Sequence, residues 1–335
     1  MNATSVATPA LPTADPAAPG RLHGWAWLSW RQHWLLIGTA LALLVVIGAV
    51  LLWQRGIILH DTAVLRAHGC TPGHAFGSGC GAAMDYVMAH PGRFSSLCQP
   101  VLAAVPLLIG MFVGAPLLAQ EYENGTTRLA WSQSISRLSW LRARLTVPLV
   151  VVLVGSTVLT LLTHWIYWES ETPTMQQFYD NSPFQNTTYA TIGPVAVAAA
   201  LCALALGAAL GTLLRRTLPA VGLTGLLLLL GDFALRLVRP YLWTLDCLVQ
   251  HQPPGGYPLN SLLVSDGVVL ANGVKMSRAA CGNSPRVCES ADTVYGYYQP
   301  VSHLWPIQLV ETGILLALTL ALFALVVHRV RRGPA

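Results

Sequence analysis

The chain has 335 residues, of which 54% are hydrophobic and only 10% charged, with a formal net charge of +5. This balance, with a positive mean hydropathy, excludes an ordinary water-soluble globular domain and points to a membrane protein. The basic excess follows from membrane topology, as shown below, and gives no reason to expect nucleic acid as a partner.

Residues 1–20, "MNATSVATPALPTADPAAPG", lack a basic start followed by an apolar core and cleavage site, and are expected to form a disordered cytoplasmic tail. Residues 21–34, "RLHGWAWLSWRQHW", carry Trp25, Trp27, Trp30 and Trp34 with Arg21 and Arg31, the pattern of an interfacial helix in the headgroup layer. A bilayer core of about 30 Å needs roughly 20 apolar residues per helix. Segments 34–53, 101–119, 147–167, 193–214, 218–238 and 304–327 meet that length. The expected fold class is therefore an all-α polytopic membrane protein, with a transmembrane domain at 34–327. Its outer segments fall at 54–100, 168–192 and 239–303, a loop at 120–146 and a closing cytoplasmic tail at 328–335.

Orientation follows from arginine in the short connections, because basic residues resist translocation. The short side holds Arg128, Arg137, Arg142, Arg144, Arg215, Arg216, Arg329, Arg331 and Arg332, whereas the much longer opposite side holds fewer basic residues, Lys275 among them. The short side is read as cytoplasmic, placing both termini there and the chain in a bacterial plasma membrane.

Cys202 falls within the fourth span, while Cys70, Cys80, Cys98, Cys247, Cys281 and Cys288 all fall on the outer side. An even number of thiols in an oxidising compartment predicts disulfides. Cys281 with Cys288 and Cys70 with Cys80 enclose the shortest loops; spacing alone leaves the connectivity open. A zinc site of Cys70, His74 and Cys80 would need tighter paired spacing than "CTPGHAFGSGC" offers, so no metal is expected. Further on, "LLVSDGVVLANG" alternates like a strand and predicts a small hairpin around Asp266 and Gly267 within an outer cap or partner surface.

Charges inside the membrane are costly and informative. Asp232 and Arg236 stand four residues apart in the fifth span, share a helix face and are expected to neutralise each other. Glu311 stands alone among apolar neighbours in the sixth span and needs a partner, water or a snorkelling route to the interface. Small residues Gly110, Gly114 and Ala115 in the second span, and Gly222, Gly225 and Gly231 in the fifth, would permit close helix approach. No HExxH, GxSxG or CxxC motif stands in a chemically sensible context, so no enzyme activity is expected. No GxxxxGK[ST] is present, so a nucleotide would have to be hydrolysed by another chain.

The densest polar run is the loop "QEYENGTTRLAWSQSISRLSWLRARL" at 120–145. Glu121 and Glu123 close the second span and Gly125 and Thr126 make a turn. An amphipathic helix is then expected, with Trp131, Ile135, Leu138, Leu141 and Leu145 on one stripe and Arg137 and Arg144 on another face. This loop resembles the ExExGT and "SxSR" region of permease subunits of ATP-binding-cassette exporters of the type V architecture. It most resembles actinobacterial permeases carrying "GAPLLAxExExGTxRLAWxQSxSRxxWL", here "GAPLLAQEYENGTTRLAWSQSISRLSWL". Gln120 departs from the pattern, since many members have Arg before the acidic pair.

The resemblance implies a coupling helix at Thr127 to Trp140 that docks in a groove of a separate ATPase, with Glu121, Glu123, Gly125, Thr126, Arg128, Trp131, Ile135, Arg137, Leu138, Trp140, Leu141 and Arg144 forming the docking region. It implies two permease copies, as a homodimer or a heterodimer, with two ATPase subunits that bind the ATP and magnesium, this chain holding no cofactor. It also implies an exporter of hydrophobic or amphipathic cargo whose cavity is lined by the second and fifth spans, in contact with membrane lipid. The competing readings are a proton-coupled transporter using Glu311 and a membrane-anchored sensor or scaffold using the outer segments.

Overall fold

Apolar segments of bilayer length cannot leave backbone polar groups unpaired in hydrocarbon, so they form helices. The computed structural model describes residues 21–70, 80–89, 98–125, 136–170, 182–251, 257–258, 260–281, 288 and 291–332. Within them, six helices are long and apolar enough to cross a membrane: Ile37–Ala67, Val105–Glu123, Arg137–Trp168, Pro194–Leu214, Thr217–Tyr241 and Val301–Arg332. They are numbered here first to sixth.

The first helix is one unbroken element from Arg21 to Ala67. No proline interrupts it, so the stretch 21–34, expected as a separate interfacial helix, runs straight into the span. The third helix also starts early, at Arg137, so residues expected at the end of a separate amphipathic helix are the opening turns of a membrane helix.

The second helix is segmented. After Gln99–Ala103 and Val105–Leu108 it winds as a π-helix over Ile109–Gly114, then returns to α geometry over Ala115–Glu123. Pro116 has no N–H to offer the Phe112 carbonyl, which loosens the ladder where the wider turn occurs.

The fourth helix is the hub, buried at every position from Cys202 to Thr212 except Leu206. It begins at Pro194 after Gly193, whose φ of 87° suits glycine, and ends at Arg215 in a left-handed conformation with φ 53°. Its partner is the second helix, which it meets through backbone rather than side chains. A β-carbon added at Gly207 would collide with the Gly110 carbonyl and lie 2.5 Å from the Ala115 nitrogen, and one at Gly211 would lie 2.6 Å from the Ala115 carbonyl. Gly110 and Gly114 thus do serve close approach: Gly114 faces the backbone of the fourth helix, and Gly110 faces both Leu228 of the fifth and Ala203 of the fourth. In the fifth helix Gly225 faces Met111, whereas Gly222 and Gly231 meet nothing within 4 Å.

The helix ends sort into two sets, as strict alternation requires. At one end Leu118, Trp140, Leu141, Ala208, Ala209, Val326 and Val330 pack together. At the other, Tyr167, Tyr189, Ile192, Val195, Leu304 and Ile307 belong to a second core.

The expectation of an all-α fold is corrected by a four-stranded antiparallel sheet between the fifth and sixth helices. Its strands are β1 (Asp246–His251), β2 (Leu262–Val269), β3 (Lys275–Ser277) and β4 (Thr293–Gln299), in the order β1-β4-β2-β3. β4, "TVYGYYQ", is rich in the β-branched and aromatic residues that favour strands. The expected hairpin turn at Asp266 and Gly267 lies instead at Leu270–Val274. There Gly273 takes φ 78°, and the Leu270 N–H donates to the Val274 carbonyl at 2.9 Å. Asn272–Gly273 is the stronger turn signal. Asp266 stays in β2 and pairs with Arg278 at 2.5 Å, and Gly267 lets β3 approach so closely that a β-carbon would strike the Met276 carbonyl.

Candidate functional site

Glu121 and Glu123 sit in the last turn of the second helix, where its direction aims them at two neighbouring elements. Glu121 pairs with Arg144 of the third helix at 2.5 Å. Glu123 accepts hydrogen bonds from the Thr217 N–H at 3.0 Å and the Thr217 hydroxyl at 2.7 Å. Arg216, which precedes the fifth helix, provides no side-chain cap. Glu123 therefore caps that helix from a different element, placing a carboxylate at the positive end of its dipole. Arg137 donates to the Arg331 carbonyl at 3.2 Å, joining the third helix to the end of the sixth.

Of the residues expected to dock a partner, Gly125 ends the second helix's described turn with φ 68°. Leu138 is half-buried and Arg137 exposed. Trp140 and Leu141, by contrast, are 8% and 2% exposed and sit in the core at this end of the bundle. They anchor the third helix and are not free to enter a partner. Thr126, Arg128, Trp131 and Ile135 lie outside the described residues. Helical spacing continues through Leu141 into the span without a break, so spacing alone does not mark where docking surface becomes core.

At the opposite end lies a buried polar knot that the sequence showed only as isolated charges. Glu311 is 1% exposed, and Arg239 grips it bidentately: Nε donates to Oε2 and Nη2 to Oε1, both at 3.0 Å. Tyr189 donates its hydroxyl to Oε2 at 2.9 Å, and its ring lies 3.8 Å from the Arg239 guanidinium carbon. Burial first, and the Glu311 charge second, push the Tyr189 pKa upward, so it stays a donor. The expectation that Glu311 stands alone or snorkels is thereby corrected. Its partner was hidden 72 positions upstream, in the last turn of the fifth helix.

The knot extends into the sheet. Gln299, fully buried at the end of β4, donates through Nε2 to the carbonyls of Pro240 at 2.9 Å and Trp243 at 3.0 Å, while its Oε1 meets His303 Nδ1 at 2.8 Å. Gln308 donates to the Ile192 carbonyl at 2.8 Å and packs so closely on Gly193 that no β-carbon would fit there. The sheet, the loop at 182–193 and the fifth and sixth helices are thus fastened by a set of satisfied buried polar groups.

Asp232 and Arg236 form an ion pair at 2.6 Å across one helical turn, but their side chains are 47% and 41% exposed. The pair lies on the stripe that continues from Gly225 and Leu228, residues that contact Met111 and approach Gly110 of the second helix.

Disulfides join Cys70 to Cys80 and Cys281 to Cys288. These are the two short-loop pairs that spacing favoured; the other two outer candidates, Cys98 and Cys247, are unpaired, as is Cys202. Cys98 is partly buried beside the first and third helices, and Cys247 is exposed on edge strand β1. Cys70 and Cys80 of the rival zinc set are joined to each other; His74 lies outside the described residues. No group of three or more His, Cys, Asp or Glu side chains is placed to hold a metal among the described residues.

Six helices of membrane length, tied together at both ends, define an integral membrane protein. The comparison with families makes this specific. Residues 41–239, more than half of the chain, match the family described as ABC-2 membrane transporter related, and the chain belongs to that family. The match runs from the first helix to Arg239, leaving the sheet and the sixth helix beyond it. No curated protein and no solved structure matches the chain. Membership marks the protein as a transmembrane component of an ABC transporter and suggests a partner ATPase subunit.

Proposed function

We propose that this chain is the permease subunit of an ABC exporter of the type V architecture, moving a hydrophobic or amphipathic substrate outward. A separate ATPase, which holds the ATP and magnesium, docks on the loop at 120–146 from the cytoplasmic side. Two permease copies, as a homodimer, enclose the path between their second and fifth helices. The observation that carries this reading is the pair of carboxylates at the loop's base. Glu123 holds the start of the fifth helix and Glu121 the start of the third. A push on the loop would therefore reach both helices through short, charge-assisted contacts rather than through flexible chain. Arginine enrichment on the short connections supports the cytoplasmic placement, and the open Asp232–Arg236 pair supports a polar lining on the fifth helix.

Affinity purification from native membranes, with mass-spectrometric identification of partners, tests the proposal. An ATP-binding-cassette ATPase should co-purify and be lost with Arg128→Glu, while the permease keeps its abundance and helicity. Absence of any such ATPase, or transport by the purified protein without ATP, overturns it.

A further inference from the structure

A groove opens on the side of the bundle formed by the third, fourth and sixth helices, with a volume of about 520 Å³. It exists because the third and sixth helices both pack on the fourth but touch each other far less. The second and fifth helices contribute nothing to its lining, so it is separate from the path proposed above.

Its walls are almost entirely hydrocarbon, and the lining residues Leu161, Trp305 and Leu316 are themselves exposed on the membrane-facing surface. The polar lining residues are few: Thr157, Thr160, His164 and Thr312. Trp168 donates its indole N–H to His164 Nδ1 at 3.3 Å, which leaves the neutral ring's proton on Nε2. Trp305 closes on the same imidazole with ring centroids 5.9 Å apart. About two helical turns beyond Trp305, Thr312 also lines the groove, its hydroxyl buried and without a hydrogen-bond partner. An unmet hydroxyl in hydrocarbon is unfavourable, so an acceptor brought by a bound molecule would be favoured there.

The dimensions select the occupant. Lining from Leu153 to His164 spans eleven helical steps, about 16 Å, so the mean cross-section is about 30 Å². A helix, at about 10 Å across, would need more than twice the volume available. A single alkyl chain fits, and the apolar rim opens toward the bilayer that holds such chains.

We propose that this groove binds one glycerolipid from the leaflet at the His164 end. Its polar head meets His164 Nε2–H and the Trp305 edge, an ester oxygen accepts from Thr312, and one acyl chain runs down past Leu161 toward Leu153. The site does not depend on how, or whether, an ATPase is coupled.

The test uses the full-length chain in phosphatidylcholine and phosphatidylglycerol vesicles, doped with a phospholipid bearing a photoactivatable diazirine on one acyl chain. Peptide mapping after irradiation should find label concentrated on 153–164 and 305–316. The face bearing Leu41, Val45 and Leu52 of the first helix is at least as exposed and serves as the comparison. Thr312→Val, which keeps the shape and removes the hydroxyl, should lower groove labelling roughly threefold, and Thr312→Phe should abolish the enrichment. Leu316→Trp at the rim provides a second blocking variant should Thr312→Phe fail to fold. Labelling no greater than on that face of the first helix, or enrichment unchanged by the blocking variant, overturns the proposal.

Discussion

Glu311→Gln is the most informative substitution, because it removes one charge from a pair that is almost wholly excluded from solvent. Arg239 makes two hydrogen bonds to this carboxylate and Tyr189 a third, with side-chain exposures of 6% for Arg239 and 1% for Glu311. Neutralising one partner of a buried pair leaves the other charge uncompensated, at a cost of about 3–5 kcal/mol. Bonds to charged groups, at roughly 1.5–3 kcal/mol each, lead to the same range. Glutamine retains one acceptor oxygen, so a loss near the lower end, about 3 kcal/mol, is expected. Equilibrium unfolding in mixed detergent micelles measures it. Arg239→Met with Glu311→Leu should recover most of the loss, because a buried ion pair exchanged for apolar groups of similar volume is often neutral. The residual deficit should come from the orphaned Tyr189 hydroxyl and disappear with Tyr189→Phe. If Glu311→Gln costs under about 1 kcal/mol, or the two single effects simply add, the knot is not a coupled unit and the reasoning fails. A Glu311→Gln protein of unchanged stability that lost proton-driven transport would instead favour a proton-coupled mechanism.

Gly207→Ala should destabilise the protein by about 1–3 kcal/mol, since its β-carbon meets backbone of the second helix. Gly222→Ala, with open space around it, should stabilise by about 0.5–1 kcal/mol in the same unfolding assay. Gln299→Leu strands the carbonyls of Pro240 and Trp243 and should loosen the sheet by about 1–3 kcal/mol, seen as faster amide exchange in β4. A membrane-impermeant maleimide applied to intact cells should label Cys247, exposed and unpaired, while Cys98 reacts slowly because burial pushes its thiol pKa up. Labelling of Cys247 only after the cells are opened would invert the assigned orientation.

The spans were legible because a bilayer demands long apolar runs, and the resemblance in 114–141 was legible because so many of its positions match. The acids of that loop were found by type and spacing, yet their role as ties to Arg144 and Thr217 depends on where separate helices begin. Trp140 and Leu141 continue the apolar stripe of the loop, and only packing against the fourth and sixth helices shows that they belong to the core.

Composition and hydropathy periodicity determined the membrane class, the approximate spans and their alternation, since each depends on residues within a single segment. Tertiary structure alone decided that Glu311 faces Arg239, that Glu123 caps the fifth helix, that Gly207 rather than Gly222 is the close contact, and that the turn falls at Asn272–Gly273. The first three are meetings of residues far apart in sequence, whose contacts depend on how helices pack. The turn was written locally, but two glycine signals competed, and strand register against β3 and β4 selected one.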